Sequence, residues 1–360
     1  MNSVLFLLFL ALSVFLFFFA DKKDDKKILI IAILIISLLA GLRGENVGVD
    51  TSAYMDAFVN QFPKSWQFEE FGFRFVSNLL MKMFNNASVV MLIYALLTNF
   101  LIFLRLWDFR KKSSFGLMGL LYILIYFLSS MNIMRQFIAV AIVLYSTKLL
   151  ENKKYVLFFI IVLLTSLIHK TSLLSVAFIF VYCWSDLSPR KKIVFGPIMF
   201  VFITIGLSYV IKYESDHIAN YLSVSNEVKN FNLTFIYRVM AFFISWIIYK
   251  KNIVITFGKY SKITNFSKNK NDKKEFNKIS FIYFLGIIFA SIGMFFDNMS
   301  RVGLYYLSFE IIYWGYIIKN SNNKVINIFL ILLYASYVFI FEIIYNGSMI
   351  FPYYAMFGGA

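Results

Sequence analysis

Apolar runs of roughly 13 to 21 residues alternate with short polar segments along almost the whole chain. A hydrocarbon core about 30 Å thick calls for helices of about that length. Helix is also the form in which one run can pair all its own backbone groups without water. The pattern predicts twelve spans, over about 3–20, 28–41, 87–107, 115–130, 136–150, 155–167, 171–184, 193–212, 231–249, 279–296, 302–318 and 325–345. The fold class is therefore all-α, a polytopic transmembrane helical bundle forming one domain over residues 1–360, with segments 42–86 and 250–278 as loop insertions. No internal repeat is evident. The first span, Ser3 to Ala20, lacks both a basic leader and a small-residue cleavage site, so it reads as a retained helix and not a signal sequence.

Residues 155–184 also fit a single helix, but at 1.5 Å per residue it would be about 45 Å long, more than one crossing needs. Two short helices are the better reading. The first of them, 155–167, reaches only about 20 Å, so the turn holding His169 is expected below the membrane surface, as is the turn at 131–135. Non-helical backbone at that depth has to line protein or a water-filled cavity, which predicts a cavity opening outward. Residues 67–84 place apolar side chains near helical period and read as a helix lying in the outer interface.

Composition sharpens this picture. The chain is 60% hydrophobic and 15% charged, beyond the roughly half-apolar usage of soluble domains. Its 35 Lys and Arg against 19 Asp and Glu give a net charge of +16, which in a soluble protein would suggest nucleic acid. Here topology accounts for it, and no nucleic-acid partner is expected. Loops 21–27, 108–114, 151–154, 185–192, 250–278 and 319–324 hold 23 basic residues, whereas 42–86, 131–135, 168–170, 213–230, 297–301 and 346–360 hold 8. Lys and Arg are retained on the cytoplasmic side of short loops, so the first set is expected in the cytoplasm and both termini outside. The Lys-, Asn- and Ser-rich loop 250–278 reads as a solvated segment or one lying along anionic headgroups.

Several chemistries are disfavoured at the outset. One cysteine, Cys183, and two histidines leave neither a disulfide framework nor a structural zinc site. No GxxxxGK[ST], strand–GxGxxG–helix or DxD pattern occurs, so no nucleotide fold, metal-bound sugar nucleotide or other cofactor is expected.

The remaining polar residues share one side of the membrane. Arg43 and Asp50 lie in the first long polar stretch, Gly41 to Tyr54, spaced R-x4-G-x-D-x3-Y. Arg135 and Gln136 sit at the recessed turn MNIMRQ, His169 sits in LIHKTS, and Asp297 and Arg301 in DNMSR. Arg238 falls about 10 Å inside its helix, where an unpaired guanidinium is costly and usually faces the bundle interior. Arginine captures phosphate oxygens bidentately and keeps its charge, so this set suggests an anionic, lipid-borne ligand such as a pyrophosphate. The plainer reading of each arginine is a helix-end residue snorkelling to headgroups, and Arg105 and Lys148, at basic-side ends, are assigned that role. An imidazole can take a proton from an attacking hydroxyl. Asp50, on a glycine-flanked turn, competes with His169 as base, its plainer role being a turn cap or a partner of Arg43. Glu310 and Glu342, inside spans, are read as structural partners of buried arginines.

These residues resemble a known family. Arg43, Gly48, Asp50 and Tyr54 in the first outer loop, Asn132, Arg135, Gln136 and Ala139 as N-x2-R-Q-x2-A, the H-K-T-S turn at His169, Arg301, Tyr305 and Tyr306 as R-x3-Y-Y, and Pro352–Tyr353 near the end together are similar to the EpsG family. These are polytopic bacterial membrane proteins of exopolysaccharide, capsule and O-antigen clusters, akin to Wzy-type repeat-unit polymerases. The resemblance implies an inner-membrane glycosyltransferase acting outside the membrane by inversion. Its substrates would be an undecaprenyl-pyrophosphate-linked oligosaccharide as donor and a lipid-linked repeat unit as acceptor, with the bilayer, a chain-length regulator and a flippase as partners. It also implies that Arg135, Arg301 and Arg238 hold the donor diphosphate, that His169 or Asp50 takes the acceptor proton, and that Arg43, Tyr54, Gln136 and Tyr305 contact substrate. A flippase for lipid-linked oligosaccharide would also need a basic cavity, but the one-sided polar set and the missing repeat argue against it. An acyltransferase would place its histidine on an early helix, unlike His169.

Overall fold

The computed structural model describes residues 2–62, 70–186, 233–250, 253–256, 259–262, 270–293, 297–321, 323–346 and 348–356. The expected span 193–212, its flanking loops and His217 lie outside the described residues, as do 251–252, 257–258 and 263–269 of the basic loop. The described chain is helical apart from one antiparallel hairpin, β1 (Ile253–Thr256) with β2 (Lys259–Lys262).

The helices are α1 (Ser3–Lys23), α2 (Lys26–Gly41), α3 (Thr51–Val59), α4 (Phe71–Phe84), α5 (Ala87–Asp108), α6 (Phe115–Asn132), α7 (Met134–Glu151), α8 (Tyr155–Ser166), α9 (Ala177–Asp186), α10 (Leu233–Lys250), α11 (Lys270–Ile292), α12 (Asp297–Leu307), α13 (Phe309–Asn320) and α14 (Lys324–Tyr345). Among the described residues, five stretches are long and apolar enough to cross a membrane: α1, α5, α6, Lys274–Ile292 within α11, and α14. Tyr155–Ser166, Lys170–Trp184 and Phe235–Tyr249 are apolar but shorter. Large apolar side chains stand exposed along α1 (Val4, Leu8, Phe15) and α14 (Val325, Phe329, Ile344), as on helices whose outer face meets lipid.

Local chemistry sets several ends. Asn2 caps α1 by accepting the Leu5 amide at 3.2 Å, and Asp25 caps α2 by accepting that of Lys27 at 2.7 Å. Between them Asp24 adopts a left-handed conformation, φ 51°, so the polar DKKDDKK segment turns the chain tightly. The segment 155–184 is two helices, as the length argument required, but they are joined through an extended His169 and a 3₁₀ helix at Lys170–Val176. The expected helix at 67–84 begins later, at Phe71, and Glu70 before it is non-helical. The expected span 302–318 is broken at Ser308 into α12 and α13. Inside α6, Tyr122–Phe127 form a π-helical turn, an irregularity that often marks function.

The loops gather at two ends. At one, Arg110 pairs with Asp24, Lys112 with Glu275, and Lys319 Nζ donates to the Arg110 carbonyl at 2.7 Å. Arg105, expected to snorkel, is instead 1% exposed; it donates to Thr147 Oγ1 at 3.1 Å and pairs with Glu151, because α7 supplies its partners there. At the other end the C-terminal segment lies along the first long loop. Gly44 N donates to Tyr354 O at 2.8 Å, Met356 N to Leu42 O at 3.0 Å, and Tyr353 N to Ser3 Oγ at 2.8 Å. Both ends of the described chain therefore meet at this second end.

Within the bundle, Glu310 is fully buried, 0% exposed. Its carboxylate accepts from Tyr126 at 2.7 Å, from Tyr283, and from Arg238 Nε at 3.2 Å. Tyr126 belongs to the π-helical turn and donates also to Leu307 O at 2.9 Å. The pair thus ties α6, α10, α11 and α13 together. Removing one partner leaves the other charge buried and uncompensated, so Glu310→Ala is expected to destabilise the protein by about 3–5 kcal/mol. The double replacement Arg238→Met with Glu310→Leu should recover most of that loss, both read as the thermal midpoint of the detergent-solubilised protein.

Candidate active site

Three breaks in helical backbone build the site: the loop after α2, the junction of α6 and α7 at Ile133, and the turn at His169. In the first, Arg43 is 1% exposed and its guanidinium is occupied by protein. Nε donates to Thr51 Oγ1 at 2.9 Å, one terminal nitrogen to Ala40 O and the other to Met131 O. It thereby joins the end of α2, the start of α3 and the end of α6. Gly48 follows with φ +98°, donating its amide to Met349 O at 2.7 Å; a Cβ there would lie 2.5 Å from Asn132 Oδ1. Only glycine fits that backbone and that approach, and the turn delivers Asp50 to the head of α3.

At the second break α7 opens with Arg135 and Gln136 in its first turn. Gln136 Nε2 donates to the Arg301 carbonyl, which anchors α12 beside α7. Arg135 Nη1 lies 2.7 Å from Glu70 Oε2, and its guanidinium stands 5.9 Å from the Phe73 ring centre. The third break supplies His169, whose Nδ1 is 3.2 Å from Glu70 Oε1. The Lys170 amide donates to that same oxygen at 3.0 Å. Thr171 Oγ1 bridges onward, 3.5 Å from His169 Nδ1 and 3.5 Å from the Tyr305 hydroxyl.

What holds Glu70 against this turn is the start of α4. The Gly72 amide donates to Leu167 O at 2.8 Å, and a Cβ on Gly72 would come within 2.8 Å of that oxygen. The glycine allows α4 to close on the end of α8, and Glu70 is carried in with it.

Burial and charge set the protonation states. Withdrawal from water pulls the His169 pKa below its ordinary value; Glu70 opposes this, while Arg135 and Arg301 add to it. The imidazole is therefore neutral at pH 7. Burial pushes Glu70 up, but the His169 hydrogen bond and the Arg135 charge outweigh it and keep the carboxyl below the usual range. Burial raises Asp50, against the pull of Arg301, Arg135 and Arg43. Desolvation brings Arg43 down to about 10, with Tyr353, Tyr54 and Asp50 acting the other way, so it stays charged at neutral pH.

The structure thus brings Asp50, Arg135, Gln136, His169, Arg301 and Tyr305 into one neighbourhood. Arg301 is exposed and makes no side-chain hydrogen bond or ion pair with a described residue. Tyr54 borders the site as a packed residue, 6.0 Å from Phe73 ring to ring, with the Arg135 backbone hydrogen-bonding its hydroxyl. Arg43 serves the loop, and Arg238 belongs to the Glu310 pair, which shares no member with the Glu70 cluster. The residue that sequence reasoning passed over is Glu70. Its signal, one of two glutamates in an aromatic stretch, is faint because its partners Arg135 and His169 are remote in the chain.

A family model matches residues 26–355, that of the EpsG family. No curated protein and no solved structure matches the chain.

Two of these groups, His169 and Glu70, predict a loss of stability as pH falls, which the raised Asp50 opposes in part. With the folded-state pKa of His169 below the unfolded one, the unfolded chain binds the extra proton, so stability declines as pH falls below about 6.5. Glu70, depressed in the folded state, adds a loss below about pH 4.5 as its carboxylate is protonated. The thermal midpoint of the solubilised protein should fall across both ranges, and His169→Gln should abolish the upper one.

Proposed function

The chain belongs to the EpsG family, and from that premise we propose that it is a polysaccharide polymerase. In this reading a glycan on undecaprenyl pyrophosphate is transferred, with inversion, to a hydroxyl of a lipid-linked repeat unit at the outer face of a bacterial inner membrane. Twelve spans, an outer interfacial helix at α4 and an outward cavity over the His169 turn complete it. The charge alternation between loops supports that orientation. The products are exopolysaccharide, capsule or O-antigen chains, with a flippase delivering the repeat unit and a chain-length regulator acting on the polymer.

The observation that carries the proposal is a neutral imidazole set beside two arginines, one of them exposed, at one end of a membrane bundle. The acceptor oxygen bonds to the anomeric carbon of the donor sugar, and the bond from that carbon to the pyrophosphate oxygen breaks, its electrons leaving with the diphosphate. Arg301 receives the developing charge, with Arg135 adding to the positive field; fixed donors aimed at a forming charge are the largest single contribution in many enzymes. His169 takes the hydroxyl proton and returns it to water after transfer. The leaving group already carries a diphosphate, so the residues present suffice for the reaction. Asp50 is the competing base, and Tyr305 and Gln136 line the same space.

Deleting the gene and examining the lipid-linked glycan tests the function. Single repeat units persisting outside, without polymer, are expected; accumulation on the cytoplasmic face would point to a flippase. In complementation, His169→Ala and Arg301→Ala should accumulate normally and lower polymer formation by about 100-fold or more. Normal chain lengths in both would reject the assignment, and a loss in Asp50→Asn with none in His169→Ala would give the base to Asp50.

A further inference from the structure

We infer that Glu70 is the positioning residue for His169: its carboxylate fixes the imidazole with the proton on Nδ1, leaving Nε2 as the nitrogen that accepts the substrate proton. The inference rests on the reading of His169 as the base, and goes beyond it by assigning a role to a residue outside the chain's recognisable motifs.

The geometry carries the assignment. Glu70 is 8% exposed and His169 9%, so neither group is oriented by bulk water. Three groups converge on one carboxylate: Arg135 Nη1 is ion-paired with Oε2 at 2.7 Å, while the Lys170 amide donates to Oε1 at 3.0 Å and His169 Nδ1 lies 3.2 Å from that same oxygen. A guanidinium and a backbone amide can only donate. The third contact is favourable only if Nδ1 also donates, which makes Nε2 the unprotonated nitrogen. The anchor is rigid as well, because Gly72 closes α4 onto the Leu167 carbonyl two residues before His169.

The same count says what a carboxamide would do. Glutamine offers one acceptor oxygen and a donating NH2, against donors on both sides. With its oxygen toward Arg135, the NH2 faces Nδ1 and the Lys170 amide, and the imidazole proton is driven to Nε2. With its oxygen toward the imidazole, the NH2 opposes the guanidinium. The guanidinium can only donate and carries the charge, so the glutamine oxygen is expected to turn to it, and the first arrangement holds.

The charged and titratable groups facing His169 are Glu70, Arg135, Arg301 and, through Thr171, Tyr305. Glu70 is the one among them that raises the imidazole's proton affinity. Replacing it should therefore move the acid limb of the rate profile to lower pH, a change that lost packing alone would not make.

The test uses the full-length protein in liposomes, supplied with the lipid-linked repeat units that accumulate in the deletion strain. Glu70→Gln is expected to slow polymerisation by about 100-fold and to shift the acid limb downward, while Glu70→Asp recovers part of the rate. Because the chain has two histidines, His169 and His217, a His217→Gln background leaves one imidazole to observe. Its ¹⁵N shifts should report an unprotonated Nε2 with Glu70 present and a protonated one in Glu70→Gln. A wild-type rate and an unmoved acid limb in Glu70→Gln would overturn the assignment. So would a protonated Nε2 in the parent protein, a measurement that stands even where the variant fails to accumulate. Full activity in His169→Ala would instead show that the base is elsewhere, a failure of the underlying reading.

Discussion

Taking an ion out of water costs several kcal/mol even after a protein relaxes around it, so a charged side chain inside this bundle must bring its partners with it. Four sets of contacts around charged groups organise the fold on those terms. Arg105 draws Glu151 of α7 to α5, Arg43 collects the ends of α2 and α6 and the head of α3, Arg238 and Glu310 clasp the helices around the π-helical turn, and Arg135 holds Glu70 beside His169. Each joins segments far apart in sequence. In surroundings where apolar packing discriminates poorly between neighbours, such polar contacts decide which helix goes where.

The site is a consequence of broken helices. A continuous helix satisfies its own backbone and presents side chains in a stripe, whereas a break frees backbone groups that something else must meet. At the His169 turn the freed Leu167 carbonyl is met by the Gly72 amide, and the Lys170 amide by Glu70. At the α6–α7 junction the Met131 carbonyl is met by Arg43. Glu70 thus both repairs the backbone and carries charge into the site, so that scaffold and chemistry share that residue. Arg301 is different: its main chain is anchored by Gln136 while its side chain stands exposed, the arrangement suited to a ligand that comes and goes.

The buried ion pair at Glu310 contrasts with that. All its contacts are internal, and it sits where the chain departs from α-helical geometry, at Tyr122–Phe127 in α6 and at Ser308 between α12 and α13. Its chemistry is that of a clamp. The sequence already offered Glu310 as partner to a buried arginine; that the arginine is Arg238 was decided by the packing of α10 against α13.

The sequence by itself determined the helical class and the division of 155–184 into two helices, because apolar run length and turn composition act locally. It also placed Arg43, Asp50, Arg135, His169 and Arg301 at a common end, since alternate crossings of a layer leave alternate loops together. Pairing was decided by the tertiary structure alone. That Arg43 turns inward, that Arg238 meets Glu310, and that Glu70 reaches across α4 to Arg135 and His169 depend on helix packing that brings distant residues within about 3 Å. No local pattern encodes a contact of that kind. A glutamate in an aromatic stretch becomes the partner of an imidazole only because Gly72 has no Cβ to keep α4 from the His169 turn.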